Sequence, residues 1–325
     1  VVKEVLGPDA ESVALAWRFP GLASKDFEVL QVVSQVLYNG KAGLIDLDLN
    51  QQQKVLNSYG YPMGLADYSA FILGGLPKQG QMLEEVKDLL LNEIKKLRAG
   101  EFDEKMLQAN INNFKLYELQ SMESNEGRAD IFVNSFINGT NWEDEVTAID
   151  RMAKLTKEDI VAFADKYLKE DNYAVVYKKQ GKDPNEKKMT KPEITPIVSN
   201  RDVASPFLTS IQENAVKPIE PVFLDFKKDM SQLTAKSDIP VLYKQNTTND
   251  LFQLIYVFDM GNNNDKALGT AFDYLEYLGT SDMTPEELKS EFYRLACTFY
   301  VSPGNERTYV VLSGLNENMP AAMQL

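Results

Sequence analysis

Three landmarks of this chain occur twice. Phe19-Pro20-Gly21 returns as Asp259-Met260-Gly261, and Tyr61-Pro62-Met63-Gly64 returns as Val301-Ser302-Pro303-Gly304, each 240 positions later. Phe71-Ile72-Leu73-Gly74-Gly75-Leu76-Pro77 is matched by Val310-Val311-Leu312-Ser313-Gly314-Leu315-Asn316 at almost the same interval. Solenoid units recur every roughly 20–50 residues, so this period signals a duplicated domain. Whatever one copy folds into, the other must be able to start the same way.

Within the first copy, Val13, Leu15, Trp17 and Phe19 alternate with Ala14, Ala16 and Arg18, the pattern of a half-buried strand. Behind Ser24, Phe27, Leu30, Val33 and Leu37 recur at helical spacing, and Asn39-Gly40 supplies a left-handed stop. Leu44 to Lys54 predicts a second, shorter helix. Strands are expected around 55–61 and 68–73, then a helix from about Met82 to Ala99 and a long one from Asp103 toward Phe136. Thr156 and Asp159 form a capping-box pattern for the next helix, and Tyr173–Tyr177 reads as a closing strand. A strand–helix–helix–strand–strand–helix order with short connections implies an α+β unit, its helices packed on one face of a largely antiparallel sheet.

Residues 181–236 differ, with X-Pro steps at Pro184, Pro192, Pro196, Pro206, Pro218 and Pro221 that favour extended backbone. They read as an interdomain linker, with Val222-Phe223-Leu224 able to dock on a neighbour. From 237 the second copy begins: strands at Ile239–Tyr243 and Leu251–Phe258, a helix over Asp265–Leu278, and another opening at Thr284-Pro285 with Glu287 completing a capping box. Strands near Phe299–Val301 and Thr308–Leu312 follow, and a helical pattern starts at Pro320. The expected division is a complete α+β domain over 1–180, the linker over 181–236 and a partial domain over 237–325, whose missing strand and helices would lie beyond Leu325.

The chain has 34 basic and 48 acidic residues, a net charge of −14, which argues against nucleic acid as a partner. No apolar run is long enough for a membrane helix. Cys297 is the one cysteine and there is no histidine, so neither an intrachain disulfide nor a Cys–His nucleophile can form.

The stretch Ala271 to Thr280 carries the most chemical information. In the H-x-x-E-H motif two histidines one turn apart hold zinc, and the glutamate between them polarises water. Here those positions read Asp273, Glu276 and Tyr277. With these residues, Thr284-Pro285-Glu286-Glu287-Leu288 and Leu312-Ser313-Gly314-Leu315, the chain resembles the insulinase/pitrilysin-type (inverzincin) zinc metallopeptidases. The resemblance implies that 1–180 corresponds to the family's second domain, 181–236 to the linker between halves, and 237–325 to the start of a degenerate third domain. It further implies peptide hydrolysis in a chamber between two closing halves, with zinc in the parent protein and none bound by this chain. No catalytic or metal residue carries over, and Asp273, Glu276 and Tyr277 are read as a relic.

Weaker signals are read structurally. One turn of helix gives Asp273 and Glu276 too few ligands for a cation. Asp46-Leu47-Asp48-Leu49-Asn50 echoes calcium-loop spacing but lacks the loop's glycine and closing glutamate, so it reads as a helix face. Asn138-Gly139-Thr140 and Asn246-Thr247-Thr248 match the glycosylation triplet by composition alone. A chamber can also hold peptide by strand addition at a sheet edge.

The expected function is therefore a non-catalytic fragment of a zinc-dependent endopeptidase, forming chamber wall and hinge linker. Its expected partners are the other domains of the parent chain, a peptide substrate in the parent, and further copies of itself through the partial domain. The alternative is a natural non-catalytic homologue that serves an active peptidase as partner or scaffold subunit.

Overall fold

Val13, Leu15, Trp17 and Phe19 are all buried on one face of a strand, and the first half of the chain is built on that face. The computed structural model describes residues 1–184, 189–197 and 199–325; residues 185–188 and 198 of the proline-rich stretch lie outside the described residues. The described chain clusters into two units, Val1–Asp183 with Thr248–Leu325, and Pro184–Thr247.

In the larger unit, β1 (Val2–Gly7), β2 (Ser12–Pro20), β3 (Asn57–Met63), β4 (Tyr68–Leu76) and β5 (Ala174–Gln180) form a five-stranded sheet in the order β1-β5-β2-β4-β3. Only the β1–β5 pair is parallel. Helices α1 (Lys25–Leu37), α2 (Leu83–Arg98), α3 (Lys105–Ser121), α4 (Asn125–Asn138), the short α5 (Trp142–Val146) and α6 (Ala148–Met152), and α7 (Lys157–Tyr167) complete this part. Among these, α1, α2 and α7 share one core with the inward face of the sheet, joining Leu30, Val33 and Leu37 to Val86, Leu90, Ile94, Ile160 and Phe163. Each large side chain fully buried there contributes roughly 1.5–3 kcal/mol.

Helix ends follow the local signals. Ser24 accepts from Asp26 N, the Thr156–Asp159 capping box is closed in both directions, and Gly100 adopts a left-handed φ of 68° after α2. Two sequence expectations give way to packing. The helix expected over Leu44–Lys54 is a π-helical turn, Asp46–Gln51, because Asp46 turns inward to the preceding loop. The long helix from Asp103 breaks after Ser121, where Ser124 caps a new helix by accepting from Gly127 N.

The Pro184–Thr247 unit holds a short helix α8 (Pro206–Gln212) and a two-stranded antiparallel pair, β6 (Ser231–Thr234) with β7 (Pro240–Tyr243). The helix departs from the purely extended expectation because Ser205 caps it and Pro206 sits in its first turn, the one place where proline suits a helix. Val222, Phe223 and Leu224 are exposed.

The rest of the larger unit is β8 (Leu251–Phe258), α9 (Leu268–Asp273), α10 (Pro285–Arg294), β9 (Cys297–Pro303), β10 (Thr308–Leu315) and the short α11 (Met319–Ala322). Its sheet has the order β8-β10-β9, all antiparallel. This repeats β2-β4-β3, and β3 and β9 are displaced by the same 240 positions at both ends. The glycine landmarks do the same physical job in both copies. A Cβ on Gly21 would lie 2.0 Å from the Ala66 carbonyl oxygen, and one on Gly261 would lie 2.5 Å from that of Gly304. In each copy the turn after the first strand presses against the hairpin between the other two.

Candidate functional site

The segment that would carry a zinc motif begins as α9 and tightens after Asp273 into a 3-10 turn, Tyr274–Tyr277. A single continuous helix over Asp265–Leu278 is the sequence expectation. An isolated helix of this length is marginal, and packing decides whether it persists. In the first copy the corresponding positions are Val33, Val36 and Leu37 of α1, all buried under α2, α3 and α7. In the second copy Asp273 and Glu276 are exposed and Tyr277 is 44 % exposed.

Metal geometry is missing at this point. The two carboxylates stand on different helical windings, and the Tyr277 ring lies 6.1 Å from that of Tyr274 and 6.0 Å from Lys289 Nζ. Among the described residues there is no group of three or more His, Cys, Asp or Glu side chains that could hold a metal ion. Asp273, Glu276 and Tyr277 do not fit a zinc ion, so no chemical step runs through one here.

A different set of polar side chains lies where α10 packs on α3. Tyr293 is buried, and its hydroxyl donates to Asn110 Oδ1 at 2.8 Å and lies 3.2 Å from the Gln35 side-chain amide. Asn113 Nδ2 donates to the Tyr293 carbonyl at 2.7 Å and to Ala109 O at 2.8 Å. Burial pushes the Tyr293 phenol well above its ordinary range, so it stays a neutral donor. Around this centre, Lys41 Nζ donates to Thr298 Oγ1 at 2.9 Å, Lys289 Nζ to Gln51 Oε1 at 2.6 Å, and Gln52 Nε2 to Glu286 Oε1 at 2.7 Å. Burial lowers the Lys41 ammonium from its ordinary value and pushes the Cys297 thiol up to about 11, which leaves Cys297 an inert core residue. The polar seam joins the two copies.

Sequence reasoning missed this seam. The available signal was Asn110 and Asn113, two asparagines three apart on one face of α3, where a core-facing helix normally carries apolar residues. The calcium-like run also resolves into protein contacts. Asp46 Oδ2 accepts from the backbone N–H groups of Asn39, Gly40 and Gly43, Asp48 pairs with Lys96 at 2.6 Å, and Asn50 bonds both the backbone and hydroxyl of Ser58.

Residues 1–114 match the family described as Peptidase M16 inactive domain. Over this first third the chain is similar to the insulinase/pitrilysin-type peptidases. Over 179 residues it is 27 % identical to the "Zinc protease PqqE" of Helicobacter pylori, a match covering 53 % of this chain and 39 % of that protein. The chain thus spans well under two thirds of the curated relative. A crystal structure of a protease from Helicobacter pylori is similar with a TM-score of 0.52 and 22 % identity, covering 55 % of this chain and 44 % of that one. A peptidase M16 inactive domain from Pseudomonas fluorescens gives a TM-score of 0.49 at 15 % identity, covering 55 % and 43 %. The likeness to the Helicobacter pylori structure establishes the fold, an α+β architecture.

Proposed function

We propose that this M16-type chain is a non-catalytic portion of a zinc-dependent endopeptidase whose zinc is held outside these residues. Residues 1–180 and 237–325 form part of the wall of a substrate chamber, and the proline-rich stretch 181–236 is the hinge linker between two halves. One observation carries the reading. The second copy keeps the antiparallel strand order and the glycine contact of the first, while its motif positions hold Asp273 and Tyr277 in place of imidazoles. A scaffold kept intact around a site without ligands suits a part that shapes a chamber. The names of the matched family and of the Helicobacter pylori relative supply the peptidase context.

A quenched-fluorescence assay on mixed peptides tests this, applied to the native gene product and to the 325-residue chain, each with zinc and with chelator. Zinc-dependent cleavage by the native product and none by the 325-residue chain is the expected result. Inertness of the native product, or cleavage by this chain alone, overturns the reading.

A further inference from the structure

The five-stranded sheet has a second face, and that face is the unusual one. Alternation and register place Ala14, Ala16, Ala70, Ile72, Gly74 and Ala174 together at its centre, opposite the buried Leu15, Phe71 and Leu73. An antiparallel sheet with one face in water ordinarily presents polar side chains there. Here the floor is apolar, alanines and a glycine around the side chain of Ile72, and a ridge of tyrosines on β3 stands beside it. Tyr59 lies flat over Gly74, where a Cβ would fall 2.2 Å from the ring, and stacks on Tyr61 at 6.1 Å. Tyr61 is 46 % exposed. From this ridge to Val176 on β5 is three strand spacings, about 14 Å, the width of a single peptide segment with its side chains.

Charge selects what can lie in this trough. In a chain of net charge −14, the outward positions of the five strands carry Lys3, Arg18 and Lys178 and no acidic residue. Lys178 is engaged with Asp9 and the Ala10 carbonyl. Arg18 stands at one end of the floor, its guanidinium 4.9 Å from the centre of the exposed Tyr68 ring, and it opens a cleft of about 650 Å³ shared with Tyr167 and, on the hairpin, Asp67. Strand addition is poorly served at the β3 edge, since Pro62 interrupts the row of backbone donors.

We infer that the solvent face of the β1-β5-β2-β4-β3 sheet binds an apolar peptide segment carrying a carboxylate, either an acidic side chain or a free C-terminus, with Arg18 as its anchor. The apolar side chains lie on the alanine floor against Tyr59 and Tyr61. This names a substrate class for the chamber wall and rests on that reading.

The test is fluorescence anisotropy on the full 325-residue chain, without metal, using labelled peptides of one leucine- and phenylalanine-rich sequence. One carries a glutamate, one a lysine in its place, and each is made with a free or an amidated C-terminus. A preference of about tenfold for the carboxylate over the lysine peptide is expected, equivalent to one charged contact. Arg18→Gln should erase that preference and Ala16→Glu should weaken the acidic peptide about tenfold, with thermal unfolding confirming that both fold; the amidated pair separates a side-chain source from a terminal one. Equal affinity for both peptides, a preference surviving Arg18→Gln, or no binding overturns the inference. So does a dimer that Ala16→Glu dissociates, since the face would then be a self-interface. Because no hydrolysis is read, failure here leaves the peptidase reading standing, and an inert native product would leave peptide binding standing.

Discussion

The side-chain amide of Asn113 in α3 donates to the backbone carbonyl of Tyr293 in α10 at 2.7 Å, across 180 residues of sequence. This bond and the Tyr293 hydroxyl tie the second copy of the repeat to the first through groups that are fully withdrawn from water. Buried polar groups of this kind contribute little net energy while satisfied and cost much more when one partner is removed.

Tyr293→Phe keeps the ring and deletes the hydroxyl that reaches Asn110 and Gln35. It should destabilise the larger unit by about 1–3 kcal/mol, because a buried amide oxygen loses its donor. Denaturant unfolding reads this, and an unchanged midpoint would show that the seam is not a source of stability.

Asp46 gives a pH signature. Burial pushes its carboxyl from 3.8 up to about 6, against the lowering effect of the backbone N–H groups of Asn39, Gly43 and Gly40. The folded value lies above the unfolded one, so the native state holds the extra proton between about pH 4 and 6. Stability from this group is therefore greatest below that window and declines as pH rises through it, by about 3 kcal/mol in total. Asp46→Asn should remove this slope, read as the difference between wild-type and variant unfolding free energies at about pH 4.5 and about pH 7; an unchanged slope would contradict it.

Gly21→Ala and Gly261→Ala test the duplication in physical terms. Each Cβ would strike a carbonyl oxygen of the facing hairpin, and overpacking of this kind costs about 1–3 kcal/mol. Both substitutions should destabilise, with Gly261→Ala loosening the β8-β10-β9 sheet, as amide hydrogen exchange would show. A neutral result at either site would contradict the shared packing role.

On β8, Ile255, Tyr256, Val257 and Phe258 are each about half exposed along an edge strand without proline or charge. Such edges favour pairing with another chain. Sedimentation at tens of micromolar should show self-association that Val257→Lys suppresses; a clean monomer would count against it.

Much of this fold was legible from alternation and caps. Val13 to Phe19, the Ser24 and Thr284 caps and the repeated glycines declared their roles because strand period and capping chemistry are local properties. What escaped was set by distant packing. Asp273 to Tyr277 read as a plain helical continuation, yet it tightens into a 3-10 turn with Asp273, Glu276 and Tyr277 exposed. Ala14, Ala16 and Arg18 registered only as the other side of a strand, since the neighbours that make that side a trough come from β3, β4 and β5. The seam depends on Tyr293 meeting Asn110 and Asn113; the asparagine spacing on α3 marks a polar stripe, but the partner that covers it lies some 180 residues away.

Zinc stoichiometry, measured by elemental analysis after dialysis, tests most directly the proposal that this chain shapes a peptidase without holding its metal. The native gene product should retain about one zinc per chain, the 325-residue chain should retain none, and Asp273→Asn with Glu276→Gln should leave both values unchanged. Stoichiometric zinc on the 325-residue chain, lost in that double variant, would contradict the account.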